Sequence, residues 1–405
     1  MAVGLAPLPS LHPVAGFALG TASAGIKTPG RKDLVLMRCA EGTSVAAVFT
    51  QNAFRAAPVQ LCEQRFLGAV RYLVTNSGNA NAATGAAGLA DAEQVCATLA
   101  QLGKVPAQSV LPFSTGVIGE PLPVAKIEAA LPEALKNLAE DNWPAAAHGI
   151  MTTDTRPKGA SRQFIHQGVT VTVTGISKGA GMIRPNMATM LAYIATDAKV
   201  AQGVLQDMLK STVDKTFNRI SIDGDCSTND SCMLIATGQT TLGEIHSPSG
   251  ALHAALKQAV EEVALELAQA IVRDGEGATK FVSVQVSGGA CQQECLDVAF
   301  AIAHSPLVKT ALFASDPNWG RILCAVGYAG VARLDGNRVS LYINDVCIAQ
   351  NGCRFDGYTE AQGAAAMHEE EITLHIDLGR GTCSETVWTT DLSCDYVKIN
   401  AEYRS

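Results

Sequence analysis

GVTVTVTGISKGAGMIRPNMATMLAYIA, residues 168–195, is built from two kinds of chain. Residues 169–174, between two glycines, alternate valine and threonine without a break, which is the period of a strand and predicts one buried face and one polar face. After Ile176 the sequence becomes glycine-rich, with an Arg184-Pro185-Asn186 turn and flexible methionines on either side. From Thr189 onward it reads as a strand again, with Leu191 and Tyr193 on one face and Ala192 and Ile194 on the other. The pair Ala188-Thr189 stands where loop becomes strand. Threonine suits strands, so the plainest reading is a strand that begins there.

The same two textures recur outward along the chain. LVLMRCA (34–40) and SVAAVFTQN (44–52) read as paired strands across a Glu-Gly turn. RYLVTNSGNANAATG (71–85) reads as a strand entering an Asn/Gly/Ser loop, followed by a helical pattern around 90–102. Asn76, Asn79 and Asn81 in that loop either hold a ligand or hydrogen-bond their own turns. SVLPFSTGVIGEPLP (109–123) runs from a strand into a Thr115-Gly116 turn, and PVAKIEAALPEALKNLAED supplies helical stretches ending near Asp141. The clearest helix is ALHAALKQAVEEVALELAQAIVRDG, where Leu252, Leu256, Val260, Val263, Leu267 and Ile271 form one apolar stripe and Gly275 is a natural stop. Beyond it Val282, Val284 and Val286 alternate on one face of a strand. Many alternating strands with a few amphipathic helices predict layered sheets with helices outside. Hairpin-like spacing argues against a purely parallel, doubly wound sheet.

A chain of 405 residues with 47% hydrophobic and 17% charged residues has enough apolar content to bury a sizeable core. A net charge of −8 argues against nucleic acid or an anionic membrane as the main partner, since phosphates require a basic face. The apolar N-terminus has no basic residue before Lys27, and prolines at 7, 9 and 13 interrupt it, so neither a signal peptide nor a membrane span is expected there. A soluble, cytoplasmic protein is the expectation. The 12 cysteines are widely spread and lack CxxC spacing, and no HxH or HExxH occurs. Reduced, mostly buried thiols and no metal site are therefore expected. No GxGxxG follows a strand and there is no P-loop or GxSxG elbow, so dinucleotide binding and serine-hydrolase chemistry have no motif.

Polar groups crowd beside glycine in STG (114–116), SKGAGM (177–182), DGEG (274–277) and SDPNWGR (315–321). Glycine next to a polar group lets the backbone approach a ligand and leaves N–H groups to donate. Four such clusters favour a shared site without locating it, because each alone is most often a turn.

The run SKGAGMIRPNMATMLAYIATDA resembles the processing-site motif of the ornithine acetyltransferase/glutamate N-acetyltransferase family of arginine biosynthesis. TNSGNANAATG, STGVIGE, MTTDT, NRISIDGDCSTND, DGEGATKF, SDPNWGR and the terminal INAEYRS follow in the order expected of that family, so the resemblance covers essentially the whole chain. It implies an α/β fold of the α+β type: layered mixed sheets flanked by helices, in the αββα-like sandwich of the ornithine acetyltransferase/aminopeptidase DmpA-like fold. It also implies self-cleavage between Ala188 and Thr189, giving an alpha chain 1–188 with the oxyanion-hole residues and a beta chain 189–405 that begins with the nucleophile. Thr189 would then carry both a hydroxyl and an α-amine titrating near about 7.7–8.0, close enough to working pH to serve as its base.

By resemblance, Thr115 and Gly116 form the oxyanion hole, and Thr152, Lys178, Thr189, Glu276, Asn400 and Ser405 contact substrate. Lys178 suits an α-carboxylate. Glu276 suits the ornithine ammonium and opposes the glutamate side chain. The implied reaction is ping-pong transfer of acetyl from N-acetylornithine to glutamate through acetyl-Thr189, with acetyl-CoA as a possible co-substrate, no bound cofactor, and two alpha and two beta chains in the assembly. Two other classes fit the same residues: an N-terminal-nucleophile amidohydrolase or aminopeptidase with water as acceptor, and a non-catalytic metabolite-binding protein.

Overall fold

The computed structural model describes residues 2–184 and 190–401. The chain divides into two compact units, Ala6–Asn218 with Cys226–Ile271, and Met1–Leu5 with Arg219–Asp225 and Val272–Ser405.

In chain order the larger unit contains β1 (Phe17–Ala22), β2 (Leu34–Cys39), β3 (Ser44–Phe49), α1 (Ala57–Arg65), β4 (Tyr72–Asn79) and α2 (Gly85–Gly103). It continues with β5 (Val110–Val117), α3 (Val124–Lys136), α4 (Trp143–Gly149), β6 (Lys158–His166) and β7 (Val169–Lys178). Beyond them lie β8 (Leu191–Thr196), α5 (Gln202–Val213), β9 (Ser231–Ala236) and α6 (Ala251–Arg273), the last leaving this unit at Ile271. One sheet has the order β1-β2-β4-β5 and a second β3-β9-β8-β7-β6. Both mix parallel and antiparallel pairs, with β4/β5 and β8/β9 parallel.

The two sheets face each other across one core. Phe17, Leu19, Val35, Met37, Leu73, Leu111 and Phe113 from the first meet Val45, Ile176, Leu191, Tyr193, Met233 and Ile235 from the second. Tyr193 spans that core, its ring edge-on to Phe113 at 5.3 Å and its hydroxyl 2.8 Å from the Thr75 hydroxyl. A buried phenol needs such a partner, and here the bond also ties the sheets together. The outer face of the first sheet is covered by α2 and α3 through Val95, Leu99, Ile127 and Leu131. Under α6, Gly175 of the second sheet lies against Val263 and Leu267. At the edge strand β3, the Gln206 amide brackets Ala47, accepting from its N–H at 3.1 Å and donating to its carbonyl at 2.8 Å. Gln202 treats Val45 the same way. These α5 side chains occupy a strand edge that would otherwise be open to pairing. The order helix, sheet, sheet, helix is the αββα sandwich that the family resemblance implied.

Several local expectations change. β2 and β3 do not pair. β2 lies between β1 and β4, while β3 pairs with β9 in the facing sheet, so the Glu41-Gly42 turn changes layer. Both strands present alternate residues to the same core from opposite sides, a pattern that a hairpin shares. Thr115 and Gly116 are not a turn; they end β5 and pair with Ser77 and Gly78 of β4. β7 is buried on both faces, because Thr174 donates to the His12 carbonyl at 2.7 Å and the Thr172 N–H donates to Asp197 at 2.9 Å. The helical stretch expected to reach Asp141 stops at Lys136, since Ala139 instead exchanges backbone bonds with Leu19. The α6 stripe is buried from Leu256 to Ile271 as its period predicts, with Leu252 partly exposed. Of the 12 cysteines, 39, 62, 96, 232 and 295 are buried, whereas 226, 291, 324, 353 and 394 are exposed, so burial does not protect them as a class.

The smaller unit contains β10 (Phe281–Gly289), α7 (Gln292–Ala303), α8 (Pro306–Phe313), α9 (Trp319–Gly327), β11 (Ser340–Ile343) and β12 (Val346–Gln350). β13 (Cys353–Arg354), α10 (Glu360–His368), β14 (Glu371–Asp377), β15 (Cys383–Thr390) and α11 (Cys394–Ala401) complete it. Its sheet has the order β13-β12-β11-β14-β10-β15. Val282, Val284 and Val286 point into one core with Val298, Ile302, Ile322, Leu341 and Leu374, as their alternation predicts. No single helix among the described residues is long and apolar enough to cross a membrane.

Candidate active site

β5 ends at the first group of expected site residues. Thr115 is 8% exposed, and Gly116 has φ +138. A Cβ on Gly116 would stand 2.3 Å from the Gly78 carbonyl carbon and 2.5 Å from the Asn79 nitrogen, so only glycine lets β5 run this close to β4. The three asparagines of the neighbouring loop serve structure. Asn76 donates to the Asn79 carbonyl, Asn79 to those of Glu120 and Pro121, and Asn81 to that of Gly88.

Lys178, the last residue of β7, reaches this strand end and donates from Nζ to Thr115 Oγ1 at 3.1 Å. An ammonium only donates, so the Thr115 oxygen is the acceptor and its own hydrogen remains available to donate. A cation bound to that oxygen polarises the O–H and makes it a stronger donor. The Thr115–Lys178 bond thus prepares a hydroxyl for a developing negative charge. The clusters 114–116 and 177–182, separate in sequence, meet here.

Asp154, not singled out in the sequence, fixes the floor under Lys178. Its Oδ1 accepts from Lys158 Nζ at 2.6 Å and from the Gly179 N–H at 2.7 Å; its Oδ2 accepts from the Thr152 N–H at 2.9 Å. One carboxylate therefore holds both Thr152 and the residue after Lys178. Burial alone would raise its pKa. The charges of Lys158 and Lys178, with hydrogen bonds from Lys158 and Thr152, outweigh burial and hold the carboxyl well below the usual carboxylate range. MTTDT contains Asp154, but an aspartate there reads as a turn residue until its burial is known.

In the smaller unit, Glu276 is 9% exposed and accepts from Asn400 Nδ2 at 2.7 Å; Asn400 also donates to the Tyr396 carbonyl at 3.0 Å. Gly277 makes this approach possible. Its φ is +66, and a Cβ would lie 2.5 Å from the Tyr396 nitrogen and 2.6 Å from Ser393 Oγ. The DGEG turn and the start of α11 are thus in backbone contact, and the expected Glu276 and Asn400 are partners. The Tyr396 hydroxyl donates to Asp223 Oδ2 at 3.2 Å. SDPNWGR supplies a helix start, with the Asn318 side chain capping α9. Ala188, Thr189 and Ser405 lie outside the described residues. Among the described residues no group of three His, Cys, Asp or Glu side chains could hold a metal ion.

Comparison with known proteins covers the chain almost end to end. The model of the ArgJ family matches residues 18–405. The arginine biosynthesis bifunctional protein ArgJ of Pseudomonas syringae pv. tomato is 69% identical over 405 residues, covering 100% of both chains, and so is that of Pseudomonas fluorescens. Among solved structures, the arginine biosynthesis bifunctional protein argJ from Bacillus halodurans is 36% identical with a TM-score of 0.48, covering 51% of this chain and 95% of its own. Matched by the family model over nearly all its length and identical to two relatives at more than two positions in three, the chain belongs to the ArgJ family.

Proposed function

We propose that this protein is the acetyltransferase of arginine biosynthesis that moves the acetyl group of N2-acetylornithine to glutamate, with Thr189 as nucleophile. The observation that carries this reading is the Thr115–Gly116–Lys178 arrangement, a polarised hydroxyl beside a glycine that no other residue can replace. It stands in a chain 69% identical throughout to proteins named for arginine biosynthesis.

The chain cuts itself between Ala188 and Thr189, giving chains 1–188 and 189–405. The freed α-amine of Thr189 takes the hydroxyl proton as the oxygen attacks the acetyl carbonyl of N-acetylornithine. The Thr115 hydroxyl and Gly116 N–H receive the oxyanion, each such donor being worth roughly 100- to 1,000-fold in rate. The tetrahedral species collapses to acetyl-Thr189 and ornithine. Glutamate then enters, its amine attacks the ester, and the threonine is restored. Lys178, a cation held beside Thr115, takes the α-carboxylate common to both substrates. Thr152 lines the same floor through Asp154. Glu276, steadied by Asn400, receives the ornithine ammonium, and Ser405 contributes from the chain end.

The relatives are named bifunctional, and we extend that to this chain: acetyl-CoA is a second donor to the same threonine, so N-acetylglutamate is also made directly. No bound cofactor takes part. Two alpha and two beta chains make up the cytoplasmic enzyme. Mass spectrometry of the purified protein should give two fragments meeting at 188/189, and Thr189→Ala should give one uncut, inactive chain. Normal processing of that variant refutes the mechanism. Release of acetate in place of transfer to glutamate would favour the amidohydrolase reading.

A further inference from the structure

β5 is the outer strand of its sheet, so one side of its backbone faces no neighbouring strand. Residues two apart in a strand turn their carbonyls to the same side, and along β5 that side is taken up by side chains. The Val110 carbonyl accepts from Arg65 at 3.3 Å and the Pro112 carbonyl from the Cys62 thiol at 3.0 Å, both on α1. Pro112 suits this row, because a proline has no N–H to leave unpaired at an edge. The third member, Ser114, gives its carbonyl to the side chain of Asn229 at 2.9 Å. The fourth is Gly116.

Asn229 lies two residues before β9 and is buried. Its amide nitrogen has two hydrogens to give. One goes to the Ser114 carbonyl and the other to the Ala80 carbonyl at 2.5 Å, and the Ala80 N–H in turn donates to the Val117 carbonyl at 2.9 Å. Both partners of the nitrogen are carbonyls, which only accept, so the amide cannot be turned over. Its oxygen takes the Thr228 hydroxyl at 2.7 Å. One side chain thus fixes the residue before Thr115 directly, and the residue after Gly116 through Ala80.

The backbone that carries Asn229 is itself tied down. The Ser227 carbonyl accepts from the Thr50 hydroxyl at 2.8 Å, the Thr228 carbonyl from the Ala56 N–H at 2.9 Å, and the Asp230 carbonyl from the Thr50 N–H at 3.0 Å. The Ser227 hydroxyl also accepts from the Asn229 N–H at 3.1 Å. The amide therefore reaches β5 from a rigid mount, which is what precise placement of a neighbouring group requires.

We infer that Asn229 is a positioning residue for acetyl transfer: its amide frames the Thr115–Gly116 pair from both ends and holds the two donors of that pair at a fixed spacing. The inference rests on the proposed oxyanion role of Thr115 and Gly116. Donors stabilise a developing oxyanion most when they need not move as the charge appears. Lys178 steadies Thr115 alone. Gly116 has no side chain to pack and a φ of +138, so the direction of its N–H is set by the bonds on either side of it. Those bonds are the ones that Asn229 supplies at Ser114 and, through Ala80, at Val117.

The test is a kinetic cycle on protein cut at 188/189, with kcat and KM for N-acetylornithine measured for wild type, Asn229→Ala, Thr115→Ala and the double variant. Without the amide both donors drift, so Asn229→Ala should lower kcat by about 10- to 100-fold while KM stays within about threefold. In the Thr115→Ala background the loss from Asn229→Ala should be smaller by at least about threefold, because residues acting as one unit are not additive. Unchanged kcat, a rise in KM alone, or an equal loss in both backgrounds overturns the inference, the last because it marks a merely structural role. If Asn229→Ala does not fold or is not cut, Thr228→Val decides in the same cycle, since it keeps the side chain's size and removes the hydroxyl that orients the amide. A kcat loss of about three- to tenfold that shrinks with Thr115→Ala supports the inference, and unchanged kcat or an equal loss in both backgrounds overturns it. Thr115→Ala with wild-type kcat, or wild type that transfers no acetyl to glutamate, defeats the proposed function itself, and the inference falls with it.

Discussion

Asp154→Asn exchanges one oxygen for an amide nitrogen and should nonetheless cost about 3–5 kcal/mol of stability. The Asp154 and Lys158 side chains are both 0% exposed and 2.6 Å apart. The native carboxylate also takes the Thr152 and Gly179 N–H groups at 2.9 and 2.7 Å. Asparagine has a single accepting oxygen, so its NH2 must face one of three donors, and Lys158 loses the countercharge that made its burial tolerable. The Lys32–Glu133 pair gives the scale: at 2.8 Å it is as well formed, but its side chains are 45% and 51% exposed, and a pair in water is worth about 0–1 kcal/mol. Burial, not distance, separates the two.

The pH dependence has a definite sign. Asp154's pKa is depressed in the fold despite its burial, because Lys158 and Lys178 outweigh it, so below the ordinary aspartate value of about 3.9 the unfolded chain binds the extra proton. Its contribution is complete above that value and is lost as the pH falls through the lower, native one. Urea denaturation of wild type, Asp154→Asn and Glu133→Gln measures the effect, with amide exchange at Thr152 and Gly179 as the local readout. A loss below about 1 kcal/mol for Asp154→Asn, indistinguishable from Glu133→Gln, refutes the reasoning.

Gly116→Ala forces a Cβ to within 2.3 Å of the Gly78 carbonyl carbon and should lower kcat for acetyl transfer by at least about 100-fold, with unchanged kcat as the refuting result. Lys309 is buried, donating to the Thr389 hydroxyl at 3.1 Å and to the Thr390 carbonyl, and burial lowers its pKa to about 8 although Asp391 and Asp223 pull the other way. The penalty for keeping it charged is complete below that pH and fades as the pH rises towards its unfolded value of about 10.4. Stability should therefore gain more from raising the pH from 7.5 to 9.5 in wild type than in Lys309→Met; equal pH responses in denaturation midpoint would remove the lysine from the account.

What the sequence made legible was local. The Val/Thr period of β7, the Leu191/Tyr193 alternation and the apolar stripe of α6 are set by residues two to four apart, and the structure contains all three. Partner choice was not legible. Nothing in 34–52 says that β2 is already flanked by β1 and β4, so the short turn after it looks like a hairpin when it changes layer. The site divides the same way. Motif order pointed to Thr115, Gly116, Lys178, Glu276 and Asn400, and the structure joins the first three in one group and the last two in another. Asp154 escaped notice because an aspartate among threonines reads as a turn; only its burial marks it out.

The position of these residues has a structural cause. β7 ends at Lys178, β8 enters at Met190 and Leu191, and β9 enters after Asp230; Lys178 pairs with Leu191, and Leu191 with Ser231, in one row across the second sheet. β5 of the facing sheet brings Thr115 to the same place, as the Lys178 bond requires. A strand interior spends its backbone N–H and C=O groups on neighbours, whereas at a strand end they become available to a ligand while the body behind them stays rigid. Where two facing sheets end together, a nucleophile at one strand start can therefore meet donors from another strand end without any flexible loop having to close.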